Sequence, residues 1–248
     1  MQTDRKNKYG LLGKDIAYSF SENYFAEKFK QLNLEGYTYD NFDLQDLSSF
    51  KEILSGTKNL NGMNVTIPYK ESVIPFLTKL DPTAAAIGAV NTIKFTEEGT
   101  IGYNTDVIGF KNAIEPLIMP HHKKALILGT GGASKAVAHV FKDLEIPFLY
   151  VSRQSKEGQI SYKEITKEML QEHQIIVNCT PIGTFPEVDK KPNIDYDQLG
   201  AAHIAFDLIY NPEVTAFLNE AKKRGAKIKN GYEMLVGQAE ASWEIWHS

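Results

Sequence analysis

The sequence predicts an α/β fold built from two domains. Strand and helix signals alternate along all 248 residues, without repeats or low-complexity tracts. A glycine-rich turn between a strand pattern and a helix pattern lies near the middle of the chain, in Lys124–Val137. Since roughly half of the chain precedes this turn, a second domain must accompany the one that contains it.

The composition indicates an ordinary globular protein that binds small molecules. Hydrophobic residues make up 42% of the chain and charged residues 23%. The formal net charge of −4, from 27 basic and 31 acidic residues, gives no overall basic field for nucleic acid or an anionic membrane. A single cysteine, Cys179, excludes an internal disulfide framework.

Targeting and metal signals are both missing from the sequence. Met1–Gly10 is charged and no apolar segment follows it, so no secretion signal is predicted. No apolar run approaches the roughly 20 residues needed to span a bilayer. His121 and His122 are adjacent, but no further ligand type lies at metal-binding spacing nearby. We therefore expect a cytoplasmic protein without a metal site.

The N-terminal elements follow from hydrophobic spacing and capping residues. We predict strands at Tyr9–Leu12 and Tyr37–Phe42, and helices at Ser21–Leu32 and Asp46–Leu54. Ser21 is the expected cap of the first helix. With Ser19, it places two hydroxyls beside free backbone amides, which could hold a carboxylate. Spacing alone favours the simpler interpretation of one capping serine and one bystander.

A polar segment ends the next predicted strand. Gly62–Lys70 has a strand pattern that Pro68 terminates, because proline cannot donate to the ladder. Thr66 and Lys70 then lie at or just past the carboxyl end, where open α/β sheets present ligand groups. On position alone, a solvated surface lysine explains Lys70 equally well.

A hairpin leads into a possible acidic site. Thr92–Tyr103 has a hairpin pattern around Glu97–Gly99, and Asp106 opens the helix after it. An acid in a first helical turn contributes about 0.5 to 2 kcal/mol of stability, which would explain Asp106 without any function.

The glycine-rich turn has the pattern of a nucleotide site. Ala125–Leu128 is a short apolar run typical of a buried parallel strand, and Gly129–Gly132 allows a tight turn whose backbone can approach a pyrophosphate. Ala133–Leu144 follows as a helix whose first amides and dipole would face an anion. The alternative is a glycine-rich turn without a ligand, and Ser134 stands where the motif usually ends in Gly or Ala.

The next strand decides which dinucleotide is expected. Phe148–Val151 ends in Ser152 and Arg153, and Arg153 lies 22 residues after Gly131. An acid near this position would hold the ribose 2′-hydroxyl of NAD, whereas an arginine suits the 2′-phosphate of NADP. NADP is therefore predicted.

Two strands and two helices complete the predicted elements. They are Ile175–Asn178, Ile204–Asp207, Thr215–Arg224 and Tyr232–His247.

Seven short motifs occur along the chain in an order that resembles shikimate dehydrogenases. They are Ser19-x-Ser21, Asn64-Val-Thr-Ile-Pro-Tyr-Lys70, Gly88-Ala-Val-Asn-Thr92, Asn104-Thr-Asp106, Gly129-x-Gly-Gly-Ala133, Asp207-Leu-Ile-Tyr210, and Gly231 with Met234-Leu-Val-Gly-Gln238. The resemblance covers about Tyr9 to Trp246. It departs from the family where Ser152-Arg-Gln154 replaces the common Asn-Arg-Thr, and where Glu233 replaces a small or apolar residue.

The resemblance implies a Rossmann-type doubly wound NADP domain at 107–231 and an α/β substrate-binding domain at 1–106 and 232–248. It implies that Lys70 and Asp106 are the catalytic pair. The implied substrate contacts are Ser19, Ser21, Thr66, Asn91, Tyr210 and Gln238. The implied cofactor contacts are Gly129, Thr130, Gly131, Gly132, Ala133, Ser152, Arg153, Leu208 and Gly231.

Three functions remain open on the sequence. The first is an NADP-dependent shikimate dehydrogenase, a monomer or homodimer, in which Lys70 moves the hydroxyl proton while Asp106 aligns the hydroxyl. The second is a relative that prefers quinate or NAD. The third is a non-catalytic dinucleotide-binding module, which the presence of both Lys70 and Asp106 disfavours.

Overall fold

The structure, a computed structural model, describes residues 7–17 and 19–248. These residues form two compact units, one comprising the chain up to Thr105 with Ala239–Ser248, and one comprising Asp106–Gln238. Met1–Lys6, part of the stretch that is predicted not to be a secretion signal, lie outside the described residues. The assignment of a substrate or cofactor role to each domain stays a prediction.

The first unit contains a six-stranded mixed sheet in the order β2-β1-β3-β5-β6-β4. Its strands are β1 (Asn7–Gly13), β2 (Tyr37–Asp43), β3 (Leu60–Val65), β4 (Lys79–Leu80), β5 (Thr92–Thr96) and β6 (Gly99–Tyr103). Its helices are α1 (Phe20–Gln31), α2 (Phe50–Gly56) and α3 (Pro82–Ile87). β1 pairs in parallel with β2 and β3, and β5 and β6 form the predicted antiparallel hairpin.

Aromatic side chains fill one side of this sheet. Phe25 and Phe29 of α1 pack with Tyr9 and Trp246, with the rings of Tyr9 and Trp246 4.9 Å apart. Leu32, the last residue of the predicted helix, lies one residue beyond the end of α1 and is 50% exposed.

The second unit is a parallel six-stranded sheet in the order β12-β11-β10-β7-β8-β9. Its strands are β7 (Ala125–Leu128), β8 (Phe148–Ser152), β9 (Gln159–Ser161), β10 (Ile175–Asn178), β11 (Ile204–Asp207) and β12 (Lys227–Lys229). Its helices are α4 (Asp106–Ile114), α5 (Gly132–Asp143), α6 (Lys167–Glu172) and α7 (Ala216–Lys223), and α8 (Tyr232–His247) begins here and continues into the first unit.

The strand order reverses between β7 and β10. From β7 the chain adds β8 and β9 on one side, and it then crosses to add β10, β11 and β12 on the other. Open α/β sheets bind ligands at such a switch point, outside the carboxyl ends of the strands. The prediction of a doubly wound sheet of Rossmann type is confirmed.

Two predicted boundaries are wrong for local reasons. β3 ends at Val65 rather than at Pro68, because the Tyr69 N–H turns back to the Thr66 carbonyl at 2.9 Å. α2 begins at Phe50 rather than at Asp46, because the Asp46 carboxylate accepts a hydrogen bond from the Ser48 N–H at 2.8 Å. That turn competes with helical hydrogen bonding.

Candidate active site

The two predicted carboxylate-binding serines lie at the start of α1. The Ser19 hydroxyl caps the helix by accepting a hydrogen bond from the Ser21 N–H at 3.1 Å. The prediction that Ser21 is the cap is therefore wrong, and Ser21 is instead a buried first-turn residue. The loop before them is held by Asp43, whose carboxylate accepts from the N–H groups of Asp15 and Ile16 at 2.9 and 3.2 Å.

Thr66 and Lys70 follow β3 directly, and both are half-buried. The Thr66 N–H donates to the Leu12 carbonyl at 2.9 Å, which extends the ladder by one residue. The Lys70 carbonyl accepts from the Val90 N–H at 2.7 Å. The segment that carries both residues is therefore tied to β1 at Thr66 and to the loop before β5 at Lys70.

Asn91 is buried and holds the backbone that leads to Asp106. Its Oδ1 accepts from the Thr105 N–H at 2.7 Å, and its Nδ2 donates to the Thr105 hydroxyl at 3.0 Å. Asp106 is the next residue, begins α4 and is only 4% exposed. The backbone beside Asp106 is thus held by the same short segment before β5 whose Val90 N–H donates to the Lys70 carbonyl.

Within the second unit, close helix packing brings Asp106 and Gln238 onto neighbouring elements. A β-carbon at Gly109 would lie 2.3 Å from the Met234 carbonyl oxygen and 3.0 Å from the Gln238 nitrogen. Only glycine permits this approach of α4 to α8. Gln238 is buried, and its Nε2 donates to the Leu235 carbonyl at 3.0 Å.

The glycine turn after β7 has the geometry of a phosphate site. Gly129 has a φ of +106°, and a β-carbon there would lie 3.0 Å from the Thr180 side chain. Gly131 precedes α5 without a side-chain cap, so no capping side chain occupies the amides at the start of this 12-residue helix. Thr130, Gly132 and Ala133 complete the turn at the carboxyl end of β7. These residues fit the pyrophosphate of a dinucleotide.

Ser134, which departs from the usual glycine motif, is explained by its contacts. It is 1% exposed, and its hydroxyl donates to the Gly131 carbonyl at 2.7 Å. The small side chain is therefore buried at the start of α5 and adds a hydrogen bond to the turn.

Ser152 is the last residue of β8, and the exposed Arg153 follows it. Sequence reasoning missed Glu164, whose carboxylate accepts from the Ser161 N–H at 2.7 Å and from the Ser155 hydroxyl. These hydrogen bonds lower the pKa of Glu164 to about 2. Glu164 thereby holds the loop that follows Arg153 in place. The Ser-x-x-Glu capping box that Glu164 forms with Ser161 is the sequence pattern that could have predicted these hydrogen bonds.

Leu208, Tyr210 and Gly231 lie where the loop after β11 meets the start of α8. The Gly231 N–H donates to the Ile209 carbonyl at 3.1 Å, so the two segments adjoin. Burial raises the pKa of Tyr210. The predicted contacts in these two segments are therefore brought together in the second unit.

Asp207, the last residue of β11, holds this loop in place through hydrogen bonds. It is fully buried and accepts hydrogen bonds from Thr215 Oγ1 at 2.6 Å, Asn178 Nδ2 at 3.0 Å and the Ile209 N–H at 3.0 Å. Burial raises the pKa of Asp207 to about 6, although these hydrogen bonds oppose the shift. The sequence contained Asp207 in a motif but gave no reason for its burial.

We expect Asp207 to make the protein less stable as the pH rises from about 4 to about 6. In this window the folded protein retains a proton that the unfolded chain, with an ordinary aspartate pKa, has released. The loss of stability is complete once the pH exceeds the pKa of Asp207 in the folded protein. Urea unfolding of the wild type and of Asp207→Asn at pH 4, 5, 6 and 7 measures it.

Asp207→Asn removes the titration and keeps the shape of the side chain. Its free energy of unfolding should therefore rise relative to that of the wild type across the same pH window. Other groups also change the pH dependence of stability. Burial lowers the pKa of His173, for example, and the titration of His173 has the opposite effect on stability. Such contributions cancel when the two proteins are compared. A difference between the two proteins that is constant with pH would contradict the expectation.

Glu233 forms an ion pair with Lys229, four residues before it. This pair accounts for the acid where the resemblance leads one to expect a small or apolar residue. Among residues 7–17 and 19–248, no three His, Cys, Asp or Glu side chains cluster so as to hold a metal ion. In the same residues, no helix is long and apolar enough to cross a membrane.

The doubly wound sheet with its uncapped, glycine-lined helix N-terminus defines a dinucleotide-binding α/β protein with a second α/β unit. The family described as shikimate dehydrogenase substrate binding domain matches residues 11–93. A shikimate dehydrogenase (NADP(+)) of Methanococcus maripaludis is 38% identical, over 96% of this chain and 90% of the relative. The chain belongs to the shikimate dehydrogenase family.

Solved structures agree with this assignment. A crystal structure of shikimate dehydrogenase in complex with NADP+ superposes with a TM-score of 0.86 and 34% identity, covering 99% of this chain and 91% of that one. Shikimate 5-dehydrogenase from Thermus thermophilus, in complex with NADP(H) and shikimate, also has a TM-score of 0.86, with 29% identity, 97% of this chain and 93% of that one.

Proposed function

We propose that this chain catalyses the reversible, NADP-dependent reduction of 3-dehydroshikimate to shikimate, in the biosynthesis of aromatic amino acids. The observation that carries the proposal is the fit of the Gly129–Ala133 turn to a dinucleotide in a chain that also contains Lys70 and Asp106. The 38% identity to a shikimate dehydrogenase (NADP(+)) supports the choice of substrate and cofactor.

We assign the predicted residues to three roles. Lys70 and Asp106 are the catalytic pair. The substrate contacts are Ser19, Ser21, Thr66, Asn91, Tyr210 and Gln238. The cofactor contacts are Gly129, Thr130, Gly131, Gly132, Ala133, Ser152, Arg153, Leu208 and Gly231. Burial of Asn91, Asp106 and Gln238 supports roles in which water is excluded from the reacting groups.

The reaction converts a secondary alcohol into a ketone, or the reverse. The residues of the Gly129–Ala133 turn would hold the cofactor, which would supply the hydride chemistry: uptake of hydride by NADP+ in the oxidation and its return from NADPH in the reduction. Lys70 takes the hydroxyl proton in the oxidation and donates it in the reduction. Asp106 accepts a hydrogen bond from that hydroxyl and so orients it. Ser19 and Ser21 hold the substrate carboxylate, remote from the reacting carbon.

The deciding experiment compares two substrates and two cofactors. Purified protein is assayed with shikimate or quinate and with NADP+ or NAD+, following the absorbance of the reduced cofactor. We expect the highest kcat/KM with shikimate and NADP+. Faster turnover of quinate, or with NAD+, would favour the second candidate. Binding of NADPH without any turnover would identify a non-catalytic module.

Replacing Ser19 by Asp should separate helix capping from substrate binding. Aspartate caps a helix as well as serine does, so the melting temperature should stay near that of the wild type. Its charge should repel the substrate carboxylate and raise KM for shikimate by about tenfold. KM for NADP+ should not change, because no cofactor contact is assigned to Ser19. Steady-state kinetics and thermal unfolding measure both effects.

The matched control is Thr166→Asp at the start of α6. Thr166 caps that helix by accepting from the Met169 N–H at 3.2 Å, and no role in the site is assigned to it. This control should leave KM for shikimate unchanged. If Ser19→Asp also leaves it unchanged, Ser19 is a capping residue only.

We further propose a cytoplasmic enzyme that acts as a monomer or homodimer and does not bind nucleic acid. The net charge of −4 supports the last point, because nucleic-acid binding requires a basic surface. Sedimentation at several protein concentrations would distinguish monomer from dimer.

A further inference from the structure

A continuous network of buried polar side chains lies in the first unit. All of its members are at most 7% exposed. They are Tyr39, Asn64, Asn91, Thr92, Thr105 and Ser242. Of these, only Asn91 has a role in the function proposed above. Because buried polar groups are costly unless paired, a cluster of this size in a core calls for a reason.

Ser242, on the last turns of α8, is the centre of this network. Its hydroxyl lies 2.9 Å from Asn64 Nδ2, 2.7 Å from Thr92 Oγ1 and 3.2 Å from Thr105 Oγ1. The serine is completely buried, and Ala239 and Trp246 of the same helix pack in the apolar core. Ser242 is therefore a polar residue on the buried face of the helix, where an apolar residue would be expected.

The hydrogen bonds give the network a direction. Asn64 Oδ1 accepts from the Tyr39 hydroxyl at 2.8 Å, so the Asn64 amide must present its NH₂ group to Ser242. Ser242 accepts from that NH₂ group, and its hydroxyl lies within hydrogen-bond distance of the Thr92 and Thr105 hydroxyls. The order runs from Tyr39 through Asn64 to Ser242 and the two threonines.

The network ends on the Asn91 amide. Asn91 Oδ1 accepts from the Thr92 hydroxyl at 3.1 Å, in addition to the Thr105 N–H. Two donors on one oxygen fix which way the amide group is turned, and with it the direction of its NH₂ group. The same bonds hold Thr105, the residue before Asp106.

We propose that Ser242 is a positioning residue for substrate binding. Through Thr92 and Thr105 it sets the orientation of the Asn91 amide, which in turn determines how well a substrate hydroxyl is bound. This inference rests on the proposed function, because Asn91 is assigned there as a substrate contact.

Ser242→Ala tests the proposal. The variant leaves Thr92 and Thr105 without their shared partner, so the Thr92 hydroxyl can turn away from Asn91 Oδ1. The Thr105 N–H still donates to that oxygen, and the orientation of the Asn91 amide should therefore loosen rather than reverse. We expect KM for shikimate to rise by about fivefold to tenfold, as for the loss of one hydrogen bond. KM for NADP+ should stay within roughly twofold of the wild-type value, because only substrate binding is affected.

Trp246→Phe, one turn further along the same helix, is the matched structural control. It removes the indole N–H that donates to the Ile93 carbonyl at 3.0 Å, a hydrogen bond that involves no network side chain. It should lower the melting temperature without raising KM for shikimate. If both variants lose stability and neither changes KM, Ser242 is structural only and the proposal is overturned.

The side-chain amide resonances of Asn91 provide a second readout that does not need activity. They are identified by their loss in Asn91→Asp. In Ser242→Ala we expect them to shift and to exchange with solvent faster, while Trp246→Phe leaves them in place. If the wild type fails to oxidise shikimate, the proposed function is wrong, and these resonances still decide the role of Ser242: unchanged signals overturn it.

Discussion

Lys70→Ala should lower kcat for shikimate oxidation by about 10² to 10⁴, with a smaller change in KM. The reason is that loss of a proton-transfer group raises the barrier of the chemical step, whereas loss of a binding group weakens substrate and transition state together. The position of Lys70 supports the first role, because its segment is tied to the sheet just past the carboxyl end of β3. Single-turnover kinetics at saturating substrate measure the chemical step directly.

Two further variants sharpen this test. Lys70→Arg should not restore kcat, because a guanidinium stays protonated near neutral pH and cannot exchange the proton. Lys79→Ala removes a lysine of the same unit whose side chain is 60% exposed, and it should leave kcat unchanged. A Lys70→Ala enzyme with near-normal kcat, under conditions where chemistry limits the rate, would refute the assignment.

Arg153→Ala should weaken NADPH binding by about 1.5 to 3 kcal/mol, or roughly tenfold to 150-fold, and leave NADH binding nearly unchanged. The guanidinium is exposed at the end of β8, where it can form two parallel hydrogen bonds to a 2′-phosphate. NADH has no phosphate at that position. Calorimetric titration with both cofactors measures the two affinities.

The control for Arg153 is Lys167→Ala, which removes an exposed positive charge from the same unit at the start of α6. It separates a specific contact from a general loss of charge. Because the proposed contact is exposed, the NADPH affinity of the wild type should also fall with added salt, more steeply than that of Arg153→Ala. If Arg153→Ala weakened the binding of NADPH and NADH equally, the assignment of Arg153 to the 2′-phosphate would be wrong.

The elements that the sequence predicts most accurately are those whose signals are local. Ile175–Asn178 and Ile204–Asp207 match β10 and β11 because short apolar runs between turn residues are typical of buried parallel strands. The edge strands β9 and β12 were not predicted, since each has only three residues and neither is fully buried. The cap of α1 was placed two residues late, because capping depends on backbone angles that the letters Ser-x-Ser do not specify.

In the candidate site, too, some features could be predicted from the sequence and others could not. The glycine turn, Arg153 and the order of the motifs are properties of the sequence by itself, and they are sufficient for the family and the cofactor class. The role of Asp207 in holding the loop after β11 could not be predicted from the sequence, because an aspartate at a strand end is usually solvated. Only the structure shows that Asp207 is buried.

The sequence by itself determined the α/β class, the dinucleotide turn and the residue types available for proton transfer. The tertiary structure alone decided which buried polar side chains are hydrogen-bonded to one another. Asn64 and Ser242 are 178 positions apart in the chain and 2.9 Å apart in the fold. Sequence patterns report spacing within an element, whereas a buried hydrogen bond depends on the packing of elements that the chain brings together from distant positions.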